Sequence, residues 1–469
     1  MTLTPGESAQ DPPVSGEKKD EGQVQSEQEK LLAHPIVKAI NAFLHRARDV
    51  EEIARTFIPL AYKFRKKQLE DVIEDLNKGK TAFSITDEAE RVLAFKNLSV
   101  TLRRADRLKA SDVPAILETS LFLGLFSKYD AFSGDLLKAI YLKKPELFNA
   151  IHRSVTISEI LKFQSYEELK LNVLHAEIEA FRRKSYVEQF EDLESSFGLK
   201  LKLFKNWSKF VECGQRRNLL THCDGVVTDQ YLKICKQEGY LFQSPVVTGE
   251  IIELTSQYFL DSCELLMEVA LKLGQTLWRK LFPDEIAMAD HQLMNVILDS
   301  LRLERWTRAQ VFGEFAMDLK KYSTDIDRKI HTVNYAIALK FGGRPSEAAQ
   351  ILSTEDWTAS LNEFKLAEVV ILEKYDDAAI LMEKIGKSGE LLSEHSYHAW
   401  PLFRDFRGTD QFLKSYEKIY GHPFTAELQK AVDAAQSSTN EELKKQSRAN
   451  ESIKSADTIQ QSNETETKN

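Results

Sequence analysis

Apolar residues along this chain recur mainly at three- and four-residue spacing, the signature of helices that each bury one face. Ile36, Ile40, Phe43 and Leu44 sit at i, i+4, i+7 and i+8, and Val50, Ile53, Phe57, Ile58 and Leu60 carry the stripe onward. Lys63 to Lys80 is charged enough to predict a solvated helix, and Arg103, Arg104, Arg107 and Lys109 form a basic cluster read as surface. Leu121, Phe122, Leu125 and Phe126 predict an apolar helix that ends at Phe132-Ser133-Gly134-Asp135, a turn-like run. Further helical patterns cover Ile157 to Phe163, and Tyr166 to Phe197 up to a stop at Gly198. A helix follows from Leu201 to His222, then a loop, then a long helix from Ile251 to Leu281 closed by Pro283.

Beyond residue 286 helix pairs recur. Asn334-Tyr335-Ala336-Ile337-Ala338-Leu339 leads to Gly343-Arg344-Pro345-Ser346-Glu347-Ala348-Ala349, and about 31 residues on Phe364-Lys365-Leu366-Ala367 leads to Tyr375-Asp376-Asp377-Ala378-Ala379. Small residues at matching positions let paired helices approach closely, as in stacked helical repeats. The spacing resembles a degenerate tetratricopeptide-type array, with a third pair around Trp400 to Phe403 and Phe412 to Tyr420. His395 and His398 beside Trp400 are read as packing, since no acid is placed to orient either one.

The expected fold is all-α. Its parts are a disordered tail (1–30), an N-terminal helical region (31–111), a helical bundle (112–285), a helical-repeat domain (286–432) and a second disordered tail (433–469). The tails are Pro-, Gly-, Ser- or Gln-rich with too little apolar surface to fold. With 42% apolar and 29% charged residues, the chain has the composition of a soluble globular protein. No apolar run spans a bilayer and no signal pattern opens the chain, so the expected compartment is the cytoplasm, without membrane attachment. Cys213, Cys223, Cys235 and Cys263 have no C-x-x-C spacing and are read as reduced, mostly buried thiols.

Net charge is −9, which argues against a general nucleic-acid binder. The tails supply −4 and −2 of it, however, and residues 200–222 carry six basic residues against one acid. On that basic helix stand Arg217, Asn218 and His222. A guanidinium grips a phosphate through paired hydrogen bonds, and an imidazole moves protons near neutral pH. On a helical wheel with Trp207 at 0°, Phe210, Val211 and Gly214 fall within about 60°, Asn218 near 20°, His222 near 60° and Arg217 near −80°. Arg216 falls opposite and is expected to face solvent. The motif residues must therefore line a cleft, meet a partner or satisfy one another, because unpaired buried polar groups cost about 1–3 kcal/mol each.

An R-N-x-x-x-H motif at the end of a basic helix, followed by a small loop and a long amphipathic helix, resembles the HEPN superfamily of helical bundles. The resemblance covers residues 112–285. It implies a bundle, often a symmetric homodimer with two motifs facing a shared cleft, and a metal-independent endoribonuclease of toxin or defence type that needs no cofactor. Arg217 would hold the scissile phosphate, His222 would act as general base or acid, and Asn218 would orient His222 or the phosphate, with RNA as substrate. Glu179 and Arg183 match an acid–base pair found upstream in some members, although E-x-x-x-R is common on any helix. Other members are non-catalytic, so the alternative is a scaffold whose repeats bind a protein partner.

Overall fold

The computed structural model describes residues 29–444, excepting 427, 431 and 442. The expected disorder of residues 1–28 and 445–469 lies outside the described residues. At 432–441 the backbone is helical, so helix reaches into the segment 433–469 expected to be disordered. The architecture is all-α, and among the described residues extended pairing is limited to the isolated antiparallel bridge between Val226 and Ile251. None of the described helices is long and apolar enough to cross a membrane. The chain divides into two compact units, with the boundary after Leu293.

In the first unit the helices are α1 (Pro35–Gly79), α2 (Glu88–Ala110), α3 (Val113–Lys143), α4 (Tyr166–Arg182), α5 (Tyr186–Phe197), α6 (Trp207–His222), α7 (Asp229–Gln237) and α8 (Ser256–Leu281). The first half of α1 buries Ile36, Ile40, Phe43 and Leu44 as the spacing predicts, against α3 and α8. Its second half does not follow the stripe: Ile53, Phe57 and Leu60 are exposed.

Four boundaries differ from expectation, and the simplest is the long helix expected from Ile251, which begins at Ser256 behind the Thr255 cap. α3 runs straight through Phe132–Asp135. Gly134 is buried in mid-helix because α4 crosses there, and a Cβ would lie 3.1 Å from Ile178 Cγ2 and 3.3 Å from Arg182 Cδ. The Tyr166–Phe197 pattern breaks into α4 and α5 at Ser185, whose side chain caps the new helix in a box with Glu188. Gly198 does stop α5, in the left-handed conformation with φ 60°. The motif helix begins at Trp207 rather than Leu201, which leaves Leu203 exposed before it.

The second unit repeats one device. The helices α9 (Ile286–Arg302, which spans the boundary), α10 (Trp306–Met317), α11 (Asp325–Phe341), α12 (Pro345–Ser353), α13 (Asn362–Ile371) and α14 (Tyr375–Ile385) form successive hairpins. Glu304, Gly343 and Glu373 occupy equivalent turns with φ 54°, 84° and 60°. After each, the next amide donates back to the preceding helix, Arg305 N to Ser300 O at 2.9 Å, Arg344 N to Leu339 O at 2.8 Å and Lys374 N to Val369 O at 2.9 Å. A short helix, α15 (Glu394–Ala399), and α16 (Asp410–Tyr420) complete the unit. His398 packs as expected, stacked on Phe424 at 4.4 Å with Nε2 2.9 Å from the Tyr416 hydroxyl.

Candidate functional site

α6 is set by an aromatic cluster. Phe210 lies 5.6 Å from Tyr129 on α3, 5.4 Å from Tyr186 and 5.5 Å from Phe190 on α5. Gly214, one turn on, allows the contact: a Cβ there would lie 2.5 Å from Tyr186 Cδ2. The buried residues Trp207, Phe210, Val211 and Gly214 are those of the expected stripe.

Arg216 contradicts the expectation of a solvent-facing side chain. Only 12% of it is exposed; Nε donates to Glu212 at 2.8 Å, Nη1 donates to the Glu253 carbonyl at 3.0 Å, and the guanidinium lies 3.8 Å from the Tyr258 ring centroid. Glu212 also accepts from Tyr231 at 2.7 Å and from Tyr258 at 2.6 Å. Both faces of α6 are covered, one by aromatic rings and the other by a closed polar network. Burial pushes the thiols of Cys213 and Cys235 up to about 12, so neither behaves as a nucleophile.

Beyond this buried stretch, Arg217, Asn218 and His222 line one open cleft of about 430 Å³. Arg217 and Asn218 are half-buried and His222 is exposed. Arg217 Nη1 donates to Asn218 Oδ1 at 3.1 Å, and Nη2 reaches Asp130 Oδ2 at 3.5 Å. Asp130, from α3, also accepts from the Tyr186 hydroxyl at 2.8 Å. Burial raises the Asp130 carboxyl above its usual range, while the Tyr186 hydroxyl, Arg217 and Arg182 pull the other way. Burial, followed by the Asp130 charge, holds Tyr186 well above the ordinary phenol range, which keeps its proton available to Asp130.

The facing wall is the turn between α4 and α5, where Arg182, Arg183, Lys184 and Ser185 border the cleft. Four cations and one carboxylate therefore surround this space, an arrangement that favours an anion. Glu179 pairs with Arg182 at 2.9 Å and not with Arg183, so the E-x-x-x-R spacing forms no ion pair here. Lys184 is held by Asp192 at 2.5 Å, and no ion pair engages Arg183 among the described residues. Sequence spacing does not reveal Asp130, Tyr186, Arg182 or Lys184 as neighbours of Arg217. The one available signal was Arg182-Arg183-Lys184 directly before the Ser185-x-x-Glu188 capping box, which marks a basic turn.

Comparison with protein-family models, curated proteins and solved structures finds no match to this chain.

Proposed function

We propose that the first unit is a metal-independent endoribonuclease of HEPN type, of toxin or defence character. The observation that supports this most is the shared cleft: a guanidinium, a carboxamide and an imidazole from the last turns of α6 border one open space walled by further cations. In this reading Arg217 exchanges its long contact with Asp130 for a non-bridging phosphate oxygen and stabilises the charge that builds on it. His222 takes the proton of the 2′-hydroxyl as its oxygen attacks phosphorus. The bond to the 5′ oxygen breaks, that oxygen takes a proton from water, and the products are a 2′,3′-cyclic phosphate and a 5′-hydroxyl. Asn218 holds Arg217 in place through its side-chain oxygen. The resemblance implies a homodimer through the bundle as the working species. RNA incubated with the protein in EDTA should be cleaved, and Arg217→Ala and His222→Ala should each abolish cleavage at an unchanged melting temperature. Intact RNA with the wild-type protein, or equal strong destabilisation by both substitutions, defeats the proposal.

A second reading, a non-catalytic scaffold, has its own support in the helical hairpins of the second unit, which resemble tetratricopeptide repeats. They enclose a largely apolar groove of about 320 Å³ bordered by Leu298, Val333, Phe364, Leu392 and Trp400. Its occupant would be an apolar side chain of a protein partner. A complex that needs residues 286–432 and tolerates His222→Ala would favour this reading.

A further inference from the structure

α2 is 23 residues long and buries none of them. The half of α1 beside it, Leu60 to Gly79, buries only Val72. Together they form a hairpin with a thin and partly polar seam. Gly79 is pressed against Leu98, Arg65 Nη2 donates to the Leu108 carbonyl at 2.9 Å, and Arg104 reaches Asp71 and Asp75 at 3.9 and 3.8 Å. The large apolar side chains point outward instead. Phe57, Leu60 and Phe64 continue from Ile53 in the 4-3-4 spacing of a helix-packing seam, and Val92, Leu93 and Leu102 project from α2, all at least 40% exposed.

This is not a scatter of single surface residues. Phe57, Leu60 and Phe64 share one side of α1, and Leu93 and Val100 share a stripe of α2 with Arg104, which reaches across to Asp71 and Asp75 of α1. These five apolar side chains are 52–62% exposed and together offer on the order of 500 Å², at the upper end of what a monomer leaves open to water. Apolar surface of this extent marks a docking site.

The charges select the occupant. At the base of the hairpin, residues 57–67 and 103–110 carry eight basic residues and one acid; in the outer part, residues 68–102 carry seven acids and four bases. The surface is thus complementary to itself when reversed end for end. A parallel pairing would set the two strongly basic bases together. Residues 1–28 and 445–469 have too few apolar residues, at no helical spacing, to cover this face themselves.

We infer that the hairpin Phe57–Ala110 docks antiparallel on the same hairpin of a second copy of this chain, forming a four-helix bundle about a two-fold axis. Such an isologous pairing places each basic base against the partner's acidic outer half. The overlap from Leu60 to Gly79 is about 30 Å long, several turns of continuous packing. The interface lies outside the cleft of α6 and is an alternative to a pairing through residues 112–285, so the chemistry of the cleft does not depend on it.

The test is sedimentation velocity and light scattering on the full-length chain at several concentrations. Wild type should run at about 107 kDa, twice the 53.7 kDa chain mass. Phe64→Asp with Leu93→Asp should raise the dimer dissociation constant at least tenfold without loss of helicity. Lys63→Glu with Lys67→Glu should do the same, and adding Glu70→Lys with Glu74→Lys on the same chain should restore the dimer, because only antiparallel pairing brings the two reversed patches together. A monomeric wild type overturns the inference, as does a dimer indifferent to Phe64→Asp/Leu93→Asp or a charge-swapped chain that stays monomeric. A wild type that remains monomeric and instead binds anionic vesicles would assign the face to a lipid surface, and would equally overturn it.

Discussion

Replacing Glu212 with alanine should loosen the first unit from beneath the cleft. The carboxylate is buried and joins three helices: Arg216 of α6 donates to it at 2.8 Å, Tyr231 of α7 at 2.7 Å and Tyr258 of α8 at 2.6 Å. Alanine removes the acceptor of two tyrosine hydroxyls, at about 1–3 kcal/mol each if no water replaces it. It also leaves the Arg216 guanidinium with only the Glu253 carbonyl and the Tyr258 ring for compensation. Removing one partner of a buried ion pair costs about 3–5 kcal/mol. These costs overlap, because the same desolvation enters each, so a total of about 5 kcal/mol is expected. At roughly 2–4 °C per kcal/mol for a unit of this size, the melting midpoint should fall by about 10–20 °C, read by circular dichroism. Glu212→Gln keeps an acceptor and should lose less. Glu212→Leu combined with Arg216→Met, which removes both charges, should recover part of the loss. A midpoint shift under about 3 °C for Glu212→Ala, roughly 1 kcal/mol, would refute the idea that this carboxylate ties α6 to α7 and α8.

Three further substitutions probe the cleft and the packing beneath it. Because the Asp130 carboxyl is held above its unfolded value of 3.8, the folded protein takes up its proton more readily than the unfolded chain. The residue's contribution to stability therefore rises as pH falls through the folded pKa towards 3.8, and Asp130→Asn should flatten that rise in urea unfolding followed against pH. Under the proposed function, the same substitution removes the carboxylate that competes with phosphate for Arg217 and should tighten RNA binding; unchanged affinity would count against that competition. Gly214→Ala adds a methyl 2.5 Å from Tyr186 Cδ2, an overpacking expected to cost about 1–3 kcal/mol in chemical denaturation. Arg183→Ala should weaken RNA binding uniformly across sequences and lower the slope of log affinity against log salt by about one, whereas an unchanged slope would remove Arg183 from the phosphate path.

How much of this was legible in the chain depends on where each partner lies. Helix existence, the buried stripe of α6 and the Gly198 stop depend on residues within a few turns, and their spacing alone reveals them. The same holds for Arg217, Asn218 and His222 lining one space, since all three belong to the last turns of one helix. Gly134 looks like a turn in the sequence because a glycine that ends a helix and a glycine that lets another helix cross are alike until Ile178 and Arg182 are placed beside it. Asp130 was invisible for the same reason, being 87 residues from the arginine it meets.

Arg216 and Arg217 show where a helical wheel stops working. The wheel ranks positions by a single apolar stripe, so it gives the side opposite that stripe to solvent. Here the opposite side is closed by polar groups: Glu212 turns Arg216, one helical turn away, into part of a buried network completed by Tyr231 and Tyr258 from 19 and 46 residues further on. Arg217, assigned only to the stripe's edge, is the guanidinium left at the cleft, half-buried and held by a contact as long as 3.5 Å. Two adjacent arginines therefore divide the work by the strength of their partners. The one with short contacts to a buried carboxylate is committed to the fold, and under the proposed function the other exchanges its carboxylate for a phosphate.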